Sequence, residues 1–140
     1  HPDIFPNLRL RLTLKQGELN MPEDVASAFI MEGYMPHEKL LKCLGNADAM
    51  LFPSYVETFG LPLLEGAAFG LPVLTVDLPY SHDVLRNYDG ATYIPHENAA
   101  AWAKAIVQTY EQRTRFQRMP MGEKSDYNAL INLLSSLANQ

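Results

Sequence analysis

The run Phe52-Pro53-Ser54-Tyr55-Val56-Glu57-Thr58-Phe59-Gly60-Leu61-Pro62-Leu63-Leu64-Glu65-Gly66-Ala67-Ala68-Phe69-Gly70-Leu71-Pro72-Val73-Leu74 decides the fold. Just ahead of it, Ala49-Met50-Leu51-Phe52 is an apolar tetrad stopped by Pro53, the pattern of a strand buried on both faces and the most buried strand expected here. Leu61 to Phe69 reads as a short helix. Pro62 suits its first turn, where a missing N–H has no intrahelical partner to lose. Gly70 ends that helix, and Pro72 to Val76 reads as a second buried strand. Strand, loop, helix, strand is the parallel crossover unit.

Working outward, the same alternation continues. Arg9 to Lys15 alternates polar and apolar residues and predicts a strand with one buried face. Gln16 to Asp24 is a polar connector, and Ala28-Phe29-Ile30-Met31 is a second short strand closed by Gly33. Pro36 to Leu44 has helical spacing with Gly45 and Asn46 as stop signals. Downstream, Ser81 caps a short helix through Leu85, Ala91 to Ile94 is a strand, and Glu97 to Tyr110 is an amphipathic helix. A last helix is predicted over Asp126 to Leu137, after a charged connector from Glu111 to Lys124. The fold class is therefore α/β, a parallel sheet with helices on both faces. Residues 1–110 form the sheet domain and 111–140 a connector with its helix.

Composition narrows the function. The chain has 140 residues, the size of one domain able to bury about two-thirds of its unfolded surface. Apolar residues make up 47% and charged residues 19%, which excludes a mainly disordered chain. No run of about eighteen apolar residues exists, so no membrane span is expected. Eleven basic residues face sixteen acidic ones for a net charge of −5, with no basic run, and nucleic acid is not the expected partner. Cys43 is the only cysteine, so neither a disulfide framework nor a thiolate cluster can form. Leu40, Leu41 and Leu44 around it suggest a buried, inert thiol on a helix. A lone thiol fits a cytoplasmic location, with the inner membrane face as a peripheral option. The first residue is His1, not Met, and no signal peptide stands ahead of the fold, so a processed or excised chain is expected.

Ligands of open parallel sheets sit beyond the carboxyl ends of the strands. The loop Pro53 to Pro62 is such a place. The amides of Phe59, Gly60 and Leu61 at a helix start would attract an anion, helped by the helix dipole. Glu57 would stand at the mouth of the cleft, and Glu65, eight residues on, along its wall. Carboxylates beside an anion site suit a ligand carrying both phosphate and vicinal hydroxyls. The other reading is two solvated surface acids, the usual fate of glutamate. No Gly-x-Gly-x-x-Gly, Walker or Asp-x-Asp pattern occurs. The Gly66 and Gly70 spacing suggests close packing and helix termination. His37, His82 and His96 read as isolated residues rather than a metal site. Ser81, His82 and Asp83 are consecutive and cannot face one another as a triad.

The Phe52–Leu74 run, with Phe59-Gly60-Leu61-Pro62 and its Glu-x7-Glu spacing, resembles the C-terminal, donor-binding domain of retaining GT-B glycosyltransferases of group 1. Flanking segments are similar to the same family: Glu32 to Leu40 to its strand-end glycine and following helix start, Gly45 to Ser54 to its "ADv-FPS" strand, and Gly90 to Pro95 with Ala99 to Ala103 to its last strand and helix. The resemblance covers about residues 5 to 110. It implies a partial Rossmann-like domain taking a nucleoside diphosphate sugar as substrate, without metal or other cofactor. By position, Glu57 would contact the donor hexose as the catalytic-site carboxylate, and Glu65 the ribose hydroxyls. The amides of Thr58, Phe59, Gly60 and Leu61 would meet sugar and diphosphate, and the loop holding Gly33 and Tyr34 would lie near the base. The family's first C-domain strand, which supplies an Arg and a Lys to the diphosphate, is not present, nor is its N-terminal acceptor domain. A gap in the sheet or a rearranged sheet, and a chain inactive by itself, are the implied consequences. A non-catalytic or degenerate nucleotide-sugar-binding module is the alternative, and a sugar-nucleotide epimerase on the same fold a third.

Overall fold

The computed structural model describes residues 4–120; the helix predicted over Asp126 to Leu137 lies outside them. After a 3₁₀ turn at Phe5–Asn7, the elements run β1 (Leu10–Leu12), α1 (Glu23–Ala26), β2 (Phe29–Met31), α2 (His37–Gly45), β3 (Met50–Phe52), α3 (Leu61–Ala68), β4 (Val73–Val76), α4 (Pro79–Leu85), β5 (Ala91–Ile94) and α5 (Ala99–Gln112). All pairings are parallel, and the fold is α/β and Rossmann-like. The strands form two groups, β1-β2 and β3-β4-β5, so the expected gap falls between the first pair and the remaining three. Among the described residues no helix is long and apolar enough to cross a membrane.

The larger sheet shows why period-two patterning works. Val73 of β4 packs on one face with Leu63 and Ala67 of α3, Leu85 of α4 and Tyr88, joined by Met50, Phe52 and Tyr93. Leu74 points the other way, to Ile94 and to Ala101, Trp102, Ala105 and Ile106 around α5. Adjacent strand residues thus serve opposite faces, each covered by helices. On the first face α3 lies unusually close. A Cβ added to Gly66 would come within 2.6 Å of the Met50 sulfur and 3.2 Å of Val73. Gly66 is there for approach, as its spacing suggested.

Several sequence expectations need correction. β3, expected to be the most buried strand, is only half-buried at all its positions, whereas β4 is wholly buried. Order explains this: β3 is an outer strand of its sheet and β4 the middle one. The predicted strand Arg9 to Lys15 shrinks to three residues; beyond Leu12 its partner chain holds it only through the Gly33 N–H to the Leu14 carbonyl (2.9 Å). The helix predicted from Ser81 starts at Pro79. Pro79 fills the first turn, and Ser81 is instead buried inside it, donating to the Val76 carbonyl at 2.6 Å. Cys43 is only partly buried, beside the Met35 sulfur at 3.8 Å. The segment after α5 is irregular through Pro120.

Tyr88 anchors the start of β4. Its buried hydroxyl donates to the Leu71 carbonyl at 2.5 Å, and its ring meets Phe116 edge-on. Burial pushes the phenol up to about 12 from an ordinary value of 10.0, with Arg115 pulling slightly the other way. Between those two pH values the unfolded chain has lost a proton that the folded chain keeps, so stability falls as pH rises across that window. Tyr88→Phe is expected to flatten this alkaline decline and to cost about 1–3 kcal/mol at neutral pH by orphaning the Leu71 carbonyl. Urea unfolding from pH 8 upward reads both effects.

Candidate functional site

Parallel strands deliver their carboxyl ends to one edge, where the loops after β2, β3, β4 and β5 carry the chemically active side chains. The loop from Pro53 to Gly60 leaves the outer strand β3 and enters α3. Gly60 supplies the left-handed residue (φ 64°) at the helix start, and Ser54 Oγ closes a tight turn on the Val56 carbonyl at 2.9 Å. Tyr80 of α4 reaches across to donate to the Ser54 carbonyl at 2.5 Å. That bond ties the loop to the neighbouring crossover. Burial raises the Tyr80 phenol, and the nearby Glu57 charge raises it further, so it stays a neutral donor.

Glu57 is turned inward onto its own loop. Its Oε1 accepts the N–H of Thr58 at 2.7 Å and that of Phe59 at 3.2 Å. These bonds hold the carboxyl below its ordinary 4.5, Thr58 contributing most and Phe59 next. The expectation of a free Phe59 amide is thereby corrected. Convergent N–H groups at a helix start attract the nearest anion, and in this structure that anion is the side chain of Glu57. Around it Tyr55, Val56, Phe59 and Leu61 stand exposed.

Glu65 is the opposite case. It lies on α3 among Leu63, Gly66 and Ala67, all buried, and its own side chain is only 11% exposed. Its Oε1 lies 2.6 Å from Nε2 of His37, the first residue of α2. A carboxylate only accepts, so Nε2 carries the proton. Reading His37 as isolated was therefore mistaken. The two residues are far apart in sequence, and only the packing of α2 on α3 brings them together. Gly33 and Tyr34 occupy the β2–α2 loop just before His37, and Tyr34 is 87% exposed. Glu32, which opens that loop, is held by Arg11 and by Lys39 at 2.9 Å; chiefly the Lys39 bond draws its carboxyl below the usual range.

The structure also groups residues that sequence reasoning left apart. Asp77, just after β4, pairs with His82 of α4 at 2.6 Å, and the His82 ring stacks on Tyr93 of β5 with centroids 3.8 Å apart. His96, after β5, lies against Tyr55, centroids 4.6 Å apart. No motif announces either grouping: Asp77 and His82 share the β4–α4 crossover, His82 meets Tyr93 of the neighbouring strand, and Tyr55 and His96 come from the loops after the two outer strands β3 and β5. The candidate edge thus has Glu57, Glu65 and His37 toward α3, Gly33 and Tyr34 on the next loop, and Asp77 and His82 just before α4 and within it. Of its carboxylates, Glu57 rests on backbone amides, Glu65 is nearly buried beneath an imidazole, and Asp77 pairs with an exposed imidazole.

A β-α-β sheet edge built this way is common to many α/β domains and does not by itself single out a particular enzyme. The family described as glycosyl transferases group 1 matches residues 23–126, and the chain belongs to that family. It is 37% identical over 86 residues to a D-inositol 3-phosphate glycosyltransferase of Nocardia farcinica, covering 60% of this chain and 19% of that protein. An O-antigen chain mannosyltransferase of Salmonella typhimurium is 40% identical over 61 residues, 44% of this chain and 17% of its own length. A glycogen synthase of Mycobacterium tuberculosis is 33% identical over 87 residues, 61% of this chain and 21% of its own. The matched segments span about a fifth of the length of these relatives.

Proposed function

We propose that the chain is the donor-binding part of a retaining glycosyltransferase that moves a hexose from a nucleoside diphosphate sugar to a hydroxyl acceptor. The observation that carries this reading is the Glu-x7-Glu segment lying at the carboxyl end of β3 and along α3, inside the family match. In the transfer, the bond from the sugar's anomeric carbon to the diphosphate breaks and a bond to the acceptor oxygen forms. The acceptor proton leaves with the nucleoside diphosphate. Glu65 is to hold the ribose hydroxyls and Glu57 those of the hexose, with Gly33 and Tyr34 beside the base. The amides of Thr58 to Leu61 are to meet sugar and diphosphate, so that a donor displaces the Glu57 carboxylate from Thr58 and Phe59. The acceptor site and the diphosphate cations are proposed to come from outside this chain, which by itself should not turn over.

A non-catalytic module is the second reading, and the self-satisfied amides at Glu57 favour it. Calorimetric titration with UDP-, GDP- and ADP-glucose separates the two by affinity and by its dependence on Glu57 and Glu65, a degenerate module binding weakly and with indifference to both. Saturable binding of one of them is expected. Charge-assisted hydrogen bonds of about 1.5–3 kcal/mol imply a loss of roughly ten- to a hundredfold in Glu65→Gln, and a similar loss in Glu57→Gln. Melting curves recorded alongside show whether the fold is kept. Absence of saturable binding, or affinity indifferent to both substitutions, would sink the donor-site reading.

A further inference from the structure

We propose that His37 is a positioning residue for Glu65, fixing which way its carboxylate faces a ribose diol; the inference rests on the donor-site reading above and deepens it. The terminal torsion of a glutamate is broad, so a carboxylate anchored at neither oxygen turns through many directions. A vicinal diol needs the reverse, an acceptor aimed before the ligand arrives, because ordering it on binding costs affinity. In this structure the side chain of Glu65 is only 11% exposed, so its stem is held by burial. The packing leaves the carboxylate head as the freer part. His37 supplies the missing restraint: its Nε2 lies 2.6 Å from Oε1, which leaves Oε2 to be aimed by that bond. A carboxylate has about four acceptor positions and the imidazole takes one of them.

The placement of His37 fits this work better than a stability role. Its side chain is 56% exposed while that of Glu65 is 11% exposed, so the ring covers the carboxylate from the solvent side. Pro36 begins α2 with its restricted φ of −57°, and His37 follows as the first helical residue, held by the backbone rather than by a mobile loop. The same residue adjoins the segment of Gly33 and Tyr34. The imidazole therefore sits between the loop proposed to lie near the base and the carboxylate proposed to take the sugar next to it.

The test compares UDP-, GDP- and ADP-glucose with their 2′-deoxyribosyl counterparts, titrated into the wild-type chain, His37→Ala, His37→Gln and Glu65→Gln. Wild type is expected to prefer the ribosyl donor of whichever base binds by tenfold or more. His37→Ala should cut that preference roughly three- to tenfold, the cost of ordering one freed side chain. His37→Gln should restore most of it, since a glutamine amide can donate to Oε1 from a similar place. A merely structural histidine would weaken both donors alike and leave the preference intact. If His37→Ala keeps the full preference while Glu65→Gln abolishes it, the positioning role is overturned and the donor site stands. If wild type binds no donor, or binds both sugars equally, the donor-site reading falls and the inference falls with it.

Discussion

Replacing Gly60 with alanine should destabilise the fold by about 2–4 kcal/mol, a large part of the roughly 5–15 kcal/mol that holds a domain together. Two separate costs add. Gly60 has φ 64°, and an L-residue held in that left-handed conformation costs roughly 1–2 kcal/mol. Its Cβ would also come within 2.9 Å of a Val84 methyl on α4, and overpacking of this kind costs typically about 1–3 kcal/mol. Valine has few alternative rotamers with which to retreat. The two costs can be separated by a second substitution. Val84→Ala in the Gly60→Ala background should recover the steric share and leave the backbone share in place. Urea unfolding of the four proteins of this cycle gives both numbers. Full stability in Gly60→Ala alone would show that the turn into α3 is not the strained point described.

The other large effect is expected at Leu63. This side chain is fully buried and lies with Ala67, Val73, Leu85 and Tyr88 in the cluster that seats α3 on the sheet. Leu63→Ala leaves a cavity and is expected to lose about 2–5 kcal/mol, whereas Leu63→Met should lose less than about 1.5 kcal/mol. Leu61, two residues earlier, is 41% exposed, and Leu61→Ala should stay within about 0.5 kcal/mol. The contrast tests which face of α3 is the buried one. Because Glu65 rides on the same helix, a slack seat should also misplace the carboxylate. Donor affinity in Leu63→Ala is therefore expected to fall even at temperatures where the chain remains folded. Equal losses at Leu61 and Leu63 would contradict the packing.

How much of this could be read in the sequence depended on whether the signal was local. The β3–α3–β4 unit was legible to within a residue or two, because Pro53, Pro62 and Gly70 punctuate it and the apolar runs between them have the length of their elements. The α/β class and the position of Glu57 and Glu65 at a strand's carboxyl end followed from the same punctuation. Which strand is central was not legible. An apolar tetrad reads alike at the edge and in the middle, and β3 proved to be the outer strand of its sheet. The start of α4 was misplaced because two signals competed, and the proline at position 79 outweighed the serine at 81. The pairing of His37 with Glu65 is a consequence of tertiary placement, while that of Asp77 with His82 and the turn of Glu57 onto its own amides are local contacts set by the backbone of their loops. No spacing rule encodes them.

The irregular stretch after α5 has a bearing on modularity. The Phe116 N–H donates to the Gly70 carbonyl at 3.0 Å and that of Met119 to the Ala67 carbonyl at 3.1 Å, so this stretch latches the carboxyl end of α3, and both side chains lie against the core beside Tyr88. A transplant of the sheet and its helices into another scaffold, or a split of the chain into two complementing pieces, would have to keep residues through Met119 with α3. Severed at Gln112, the transplanted piece would leave the Gly70 carbonyl without its donor, the Ala67 carbonyl with only its bonds from the end of α3, and part of the first face without its cover.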